Sequence, residues 1–151
     1  MSLEERVLED LKNAMKARDE LSTAVLRMLK SQLLLKKTEK DGSKELSDET
    51  VQQVFASYAK KIAEAIEQFK AGKREDLVSR HEAELKVIQR YLPEAAGEAE
   101  IKAVIEEVIQ QTGASGPADM GKVMGQVMGR LKGRADGKLL NQIVRQRLAG
   151  N

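Results

Sequence analysis

The sequence predicts an all-α protein in which an N-terminal helical domain is followed by a three-helix C-terminal domain. Three observations carry that prediction. Apolar residues recur three and four positions apart through nearly the whole chain, and no run alternates with period two. Aromatic residues make up only 3% and Trp is absent, so the core must come from Leu, Ile, Val, Ala and Met, a set that suits packed helices better than sheets. Capping residues and Gly or Pro breaks fall at the spacing of helix ends. With 151 residues and 41% hydrophobic content, the chain has enough apolar surface for one compact domain or two small ones.

Each element has its own local cause. Ser2 and Glu5 form a capping-box pattern ahead of Leu3, Val7, Leu11 and Met15, which predicts a first helix to about residue 18. Asp19 is the expected cap of a second helix carrying Leu21, Val25, Met28, Leu29 and Leu33, although no Gly or Pro forbids one long bent helix. Residues 38–46 read as a polar loop around Asp41-Gly42, and Ser47, followed by Asp48 and Glu49, starts a third helix. Its stripe is Val51, Val54, Phe55, Tyr58, Ile62, Ile66 and Phe69, ended by Gly72. A fourth helix places Leu77, His81, Leu85, Ile88 and Leu92 on one side until Pro93 blocks it.

Pro93 to Gly97 combines a helix breaker with small residues, so the domains are expected to be 1–93 and 97–149. Ile101, Val104, Ile105, Val108 and Ile109 predict a fifth helix that Gly113 closes. After Gly116-Pro117 a sixth carries Met120, Val123, Met124, Val127, Met128 and Leu131 as its buried face and stops at Lys132-Gly133. Asp136 then caps a seventh with Leu139, Leu140, Ile143, Val144 and Leu148.

Composition narrows function before any motif does. Without cysteine there is no disulfide framework and no thiolate metal site, and the first residues lack the apolar run of a signal peptide, which together predict a cytoplasmic chain. No span approaches the ~18 apolar residues that a membrane helix requires. The net charge of +2 hides an uneven distribution: residues 1–112 carry a net −3, whereas 113–151 hold seven basic residues against two acidic ones. A basic segment of that kind points to an anionic partner.

Catalytic parts are sparse. The single histidine, His81, lies in an apolar stripe between Leu77 and Leu85 and reads as structural, and one histidine cannot make a zinc site; no metal or other cofactor is expected. Gly133-Arg-Ala-Asp-Gly137-Lys138 fails the phosphate-loop pattern in its spacing and in the Leu139 that follows. What survives is the general capacity of a helix start with an adjacent Lys to hold a phosphate. Asp119 and Asp136 sit where helices begin and read as caps rather than as an acid–base pair. Surface charges such as Glu106-Glu107 read as a solvated face.

The basic stretch 119–147 is the expected binding surface. Gly121, Gly125 and Gly129 fall four apart on the sixth helix at a cost of roughly 0.5–1 kcal/mol each against Ala, which close helix packing would explain better than ligand approach. On the last helix Lys138, Asn141, Gln142 and Arg145 share one face, pairing charge for phosphates with amides for bases or sugars. Arg130, Lys132 and Arg134 crowd the preceding turn.

Gly113-Ala-Ser, Ala118-Asp-Met-Gly-Lys-Val-Met124 and Leu131-Lys-Gly-Arg-Ala-Asp-Gly-Lys-Leu-Leu-Asn-Gln142 together resemble the signature of the GatB/YqeY family. Arg74-Glu-Asp-Leu77, Glu82-Ala-Glu-Leu85 and Tyr91-Leu-Pro93 extend the likeness to its stand-alone YqeY-like members, while Gly129 stands where many relatives are expected to carry Pro or a larger residue. The resemblance implies a helical N-terminal part and a C-terminal domain similar to the tRNA-contacting tail of the aminoacyl-tRNA amidotransferase B subunit, whose catalytic region has no counterpart here. Carried over residue by residue, the implied nucleic-acid surface is Lys122, Arg130, Lys132, Arg134, Lys138, Asn141 and Arg145, and the shared helix face adds Gln142. The leading expectation is therefore a non-catalytic tRNA-binding or tRNA-metabolism accessory protein, with a protein partner for the N-terminal helices. The alternatives are a protein adaptor, an accessory of a glutamine-dependent amidotransferase, and a DNA-binding module built on three short helices.

Overall fold

The structure, a computed structural model, describes residues 1–39 and 45–150. Among them are seven α-helices, one short 3-10 turn and no strand: α1 (Leu3–Lys16), α2 (Glu20–Glu39), α3 (Asp48–Ala71), α4 (Glu75–Gln89), α5 (Glu98–Thr112), the turn Pro117–Asp119, α6 (Met120–Leu131) and α7 (Gly137–Ala149). Two compact units divide the chain, Met1–Leu92 and Pro93–Asn151.

In the first unit the capping box of α1 is complete: Ser2 Oγ accepts from the Glu5 amide and the Glu5 carboxylate accepts from the Ser2 amide. No continuous helix joins α1 to α2. Arg18 turns left-handed at φ 56°, and Asp19 caps α2 by accepting from the Ser22 amide at 3.1 Å and the Ser22 hydroxyl at 2.7 Å. Those bonds hold the Asp19 carboxyl below its ordinary pKa. The helix runs on through Thr38 and Glu39, which the sequence places in a loop; the expected Asp41-Gly42 turn lies outside the described residues. Ser47 caps α3 through the Thr50 amide.

The first core is formed by Val7 and Leu11 of α1, Val25, Leu26, Leu29 and Leu33 of α2, Val51, Phe55, Ile62 and Ile66 of α3, and Val87 and Ile88 of α4. Burying one such Leu or Ile contributes about 1.5–3 kcal/mol. Two features of the resemblance motifs turn out to be structural ties. Tyr91 is buried, its ring edge-on to Phe55 and under the Arg6 guanidinium, and its hydroxyl donates to Asp10 at 2.5 Å. Arg74 and Asp76 form a two-bond pair at the start of α4. His81 is half-buried, with Nδ1 2.8 Å from the Leu77 carbonyl and its ring against Phe69, as expected of a structural histidine.

The second unit packs three amphipathic helices around one core. Ile101, Ile105, Val108 and Ile109 of α5 meet Val123, Val127 and Leu131 of α6 and Leu140, Val144 and Leu148 of α7. Gly113 closes α5 at φ 68°, where a side chain would be strained, and Lys132 and Gly133, both at positive φ, turn the chain from α6 toward α7. Asp119 departs from its expected role. Its carboxylate accepts from the Ser115 amide and so holds the preceding turn, while α6 begins without a side-chain cap.

The glycines of α6 also depart from expectation. A Cβ built on Gly121, Gly125 or Gly129 meets nothing within 4 Å, and all three are exposed, so close helix packing does not explain them. The core needs only the face through Val123, Val127 and Leu131, and the glycines lie on the other side of the helix. Met128, expected in the core, is 51% exposed beside them, whereas Met120 and Met124 pack against the core in part.

Candidate nucleic-acid interface

Folding divides the predicted basic residues into two sets. α7 is seated on the core by Leu140, Val144 and Leu148, spaced four apart, and this fixes which of its side chains face water. Lys138, Gln142 and Arg145 are exposed and Asn141 is half-exposed, all on one face. Lys132 projects from the left-handed end of α6, and Lys122 stands ten residues earlier on that helix, about 15 Å away along its axis. Among the described residues, Lys122, Lys132, Lys138 and Arg145 make no ion pair.

The other set is occupied. The Arg134 guanidinium places two nitrogens on the two Glu100 oxygens at 2.8 and 2.9 Å and a third on the Glu94 carbonyl at 2.9 Å. In return the Ala96 amide donates to the Arg134 carbonyl at 2.7 Å, so this arginine ties the α6–α7 turn to the approach of α5. Arg130 reaches Glu107 at 2.6 Å, and Arg147 forks onto Glu106. The hydrogen bond from Arg147 holds the Glu106 carboxyl below its ordinary value, and the bond to Glu100 pushes the Arg134 guanidinium further above its own.

Arg130 and Arg134, counted as nucleic-acid ligands from sequence, are thus committed to α5. Glu107 is the counter-ion of Arg130 and Glu106 that of Arg147, rather than members of an idle solvated face. The physical reason is the domain boundary. The sequence count splits charge at Thr112, but α5 folds with α6 and α7, and the whole second unit holds eight Lys and Arg against seven Asp and Glu. Linear charge does not foresee which cations a neighbouring helix will neutralise. One signal was available: Glu100, Glu106 and Glu107 flank the apolar stripe of α5, where side chains meet the helices that stripe packs against.

The start of α7 does not suit a phosphate. The Asp136 carboxylate already accepts from the Lys138 amide at 3.4 Å, so a negative charge sits where an anion would bind. A concavity along the outer face of α1 between Glu5, Leu8, Lys12 and Lys16 is open to solvent, unlike an enclosed small-molecule site. No group of three or more His, Cys, Asp and Glu among the described residues could hold a metal, and no described helix is long and apolar enough to cross a membrane.

Comparison with known proteins agrees with the motif reading. A family model described as Yqey-like protein matches residues 4–148. Curated relatives include the protein named altered inheritance of mitochondria protein 41, mitochondrial, in Lachancea thermotolerans, 32% identical over 73% of this chain and 59% of the relative. Its namesakes in Pyrenophora tritici-repentis and Kluyveromyces lactis are 31% and 30% identical over 70% and 73% of this chain, covering 58% and 60% of their own lengths. The chain therefore spans about three fifths of these relatives. Their names overturn the cytoplasmic expectation: a composition without cysteine does not separate the cytoplasm from a mitochondrial compartment.

Proposed function

This chain belongs to the Yqey-like protein family, and from that premise we propose that it is a non-catalytic tRNA-binding accessory protein whose contact surface is Lys122, Lys132 and the Lys138, Asn141, Gln142, Arg145 face of α7. The observation that supports it is a separation of charge: three arginines of the second unit pair with α5 carboxylates, while among the described residues these cations make no ion pair, and Lys138 and Arg145 share a face with the exposed Gln142 and half-exposed Asn141 amides. Unpaired cations release phosphate counterions on binding, and amides can donate and accept at base or sugar edges. The open glycine face of α6 adds backbone that a phosphodiester chain can approach closely.

The experiment is a binding titration of the purified chain against tRNA and against duplex DNA at matched salt. Affinity for tRNA is expected to fall steeply as salt rises and to exceed that for duplex DNA. Replacing Lys138 and Arg145 together by Gln should flatten the slope of log K against log salt by about 1.5 units. An unchanged slope in that variant would remove this face from the interface, and absence of tRNA binding at low salt would reject the function.

A further inference from the structure

Among the described residues of the first unit, nothing packs against the outer face of α2. On α2, Leu21, Met28 and Leu35 recur every seven residues and are 36, 44 and 59% exposed. Between them, also every seven residues and also exposed, run Ala24, Ser31 and Thr38. The opposite face of α2 holds Val25, Leu26, Leu29 and Leu33 in the core, so the outer stripe is surplus to the fold. Its two hydroxyls are already satisfied by the helix itself: Ser31 donates to the Arg27 carbonyl at 3.1 Å and Thr38 to the Leu35 carbonyl at 2.7 Å. Covering this stripe would leave no side-chain donor unpaired.

We propose that this face docks against the same face of a second copy of the chain, the two α2 helices antiparallel. A seven-residue repeat of this kind is the pattern of a helix–helix seam, in which large residues of one helix fit against the other. The repeat is self-complementary in size. With the two-fold axis between Leu29 and Lys30, Leu21 meets Thr38, Met28 meets Ser31 and Leu35 meets Ala24 of the second copy, a large side chain against a small one at every layer. A parallel pair would instead stack Ala24 on Ala24 and Ser31 on Ser31 and leave gaps.

An isologous two-fold contact requires such self-complementarity, whereas a lipid surface or an unrelated apolar partner does not. A stripe from Leu21 to Thr38 is only about 27 Å long, so the dimer is weak and concentration-dependent rather than obligate. It uses the first unit alone and does not depend on the RNA reading.

The test uses the full chain, which has no cysteine of its own. In sedimentation velocity from about 1 to 500 µM, the mass is expected to rise from 16.7 kDa toward twice that value. Met28→Asp should weaken association at least about tenfold. Ala24→Leu with Ser31→Leu enlarges the apolar face yet should also weaken it, because the small positions are filled. Under oxidation, a chain carrying Ala24→Cys and Leu35→Cys should cross-link into dimers. One carrying Ala24→Cys alone should not, since antiparallel packing sets those two positions about 16 Å apart, beyond the ~7 Å a disulfide spans. Helical circular dichroism confirms that each variant is folded. A monomer at every concentration, tighter association of the Ala24→Leu, Ser31→Leu variant, or cross-linking by Ala24→Cys alone would overturn the proposal. So would a monomer that partitions onto phosphatidylcholine–phosphatidylglycerol vesicles, which would assign the face to lipid.

Discussion

Within the second unit, the seam against α5 and the outward face of α7 are built from the same kinds of residue and behave differently. At the seam, Arg130, Arg134 and Arg147 each meet a glutamate of α5. On the outward face, Lys138 and Arg145 meet none among the described residues. A basic residue is thus available to a polyanion only after the fold has taken what it needs, and net charge measures the sum of both. The two units illustrate this, since each sums to +1.

The largest effect removes both regions at once. Leu140, 1% exposed, seats α7 on α5 and α6, and Leu140→Ala is expected to destabilise the unit by about 2–5 kcal/mol in urea unfolding. Conversely, Gly125→Ala fills open space at a helical position, and unlike a packing glycine it should stabilise the unit by about 0.5–1 kcal/mol in the same assay. The same change at Gly113, held at φ 68°, should destabilise it instead. If Gly125→Ala also weakens tRNA binding, the open α6 face belongs to the interface.

The smallest effect concerns pH. Glu106 has its pKa lowered from 4.5, chiefly by the Arg147 hydrogen bond. A carboxyl whose folded pKa is depressed contributes stability that is present above its unfolded pKa and lost as pH falls through the folded value. Stability of wild type should therefore decline more steeply below about pH 4.5 than that of Glu106→Gln, measured by thermal melting across an acid series. Because both partners are about half-exposed and screened by solvent, the difference will be modest.

Helix count and most boundaries were legible because they depend on neighbours along the chain. Ser2 with Glu5, Asp19, Ser47 and Gly113 act within one turn of their own position, and each does what its local pattern implies. Pairing across helices was not legible. Glu4 illustrates it: it sits three residues before Val7 on the core face, and only the fold shows that Lys37 and the Leu46 amide satisfy it there. The open face of α6 escaped for the opposite reason, since a glycine repeat reads identically whether a neighbouring helix presses on it or nothing does. Of the eight predicted contact residues, Lys122, Lys132, Lys138, Asn141, Gln142 and Arg145 make no ion pair among the described residues, and Arg130 and Arg134 are paired with α5 glutamates.

The most direct test compares two triple variants in salt-dependent tRNA binding. Neutralising Lys122, Lys138 and Arg145 to Gln should reduce the slope of log K against log salt by two units or more, about 0.7–0.9 per lost phosphate contact, while leaving the urea midpoint near wild type. Neutralising Arg130, Arg134 and Arg147 to Gln should lower the urea midpoint and leave the slope almost unchanged wherever the unit remains folded. The reverse pattern, with the slope following the arginines of the α5 seam, would contradict this account.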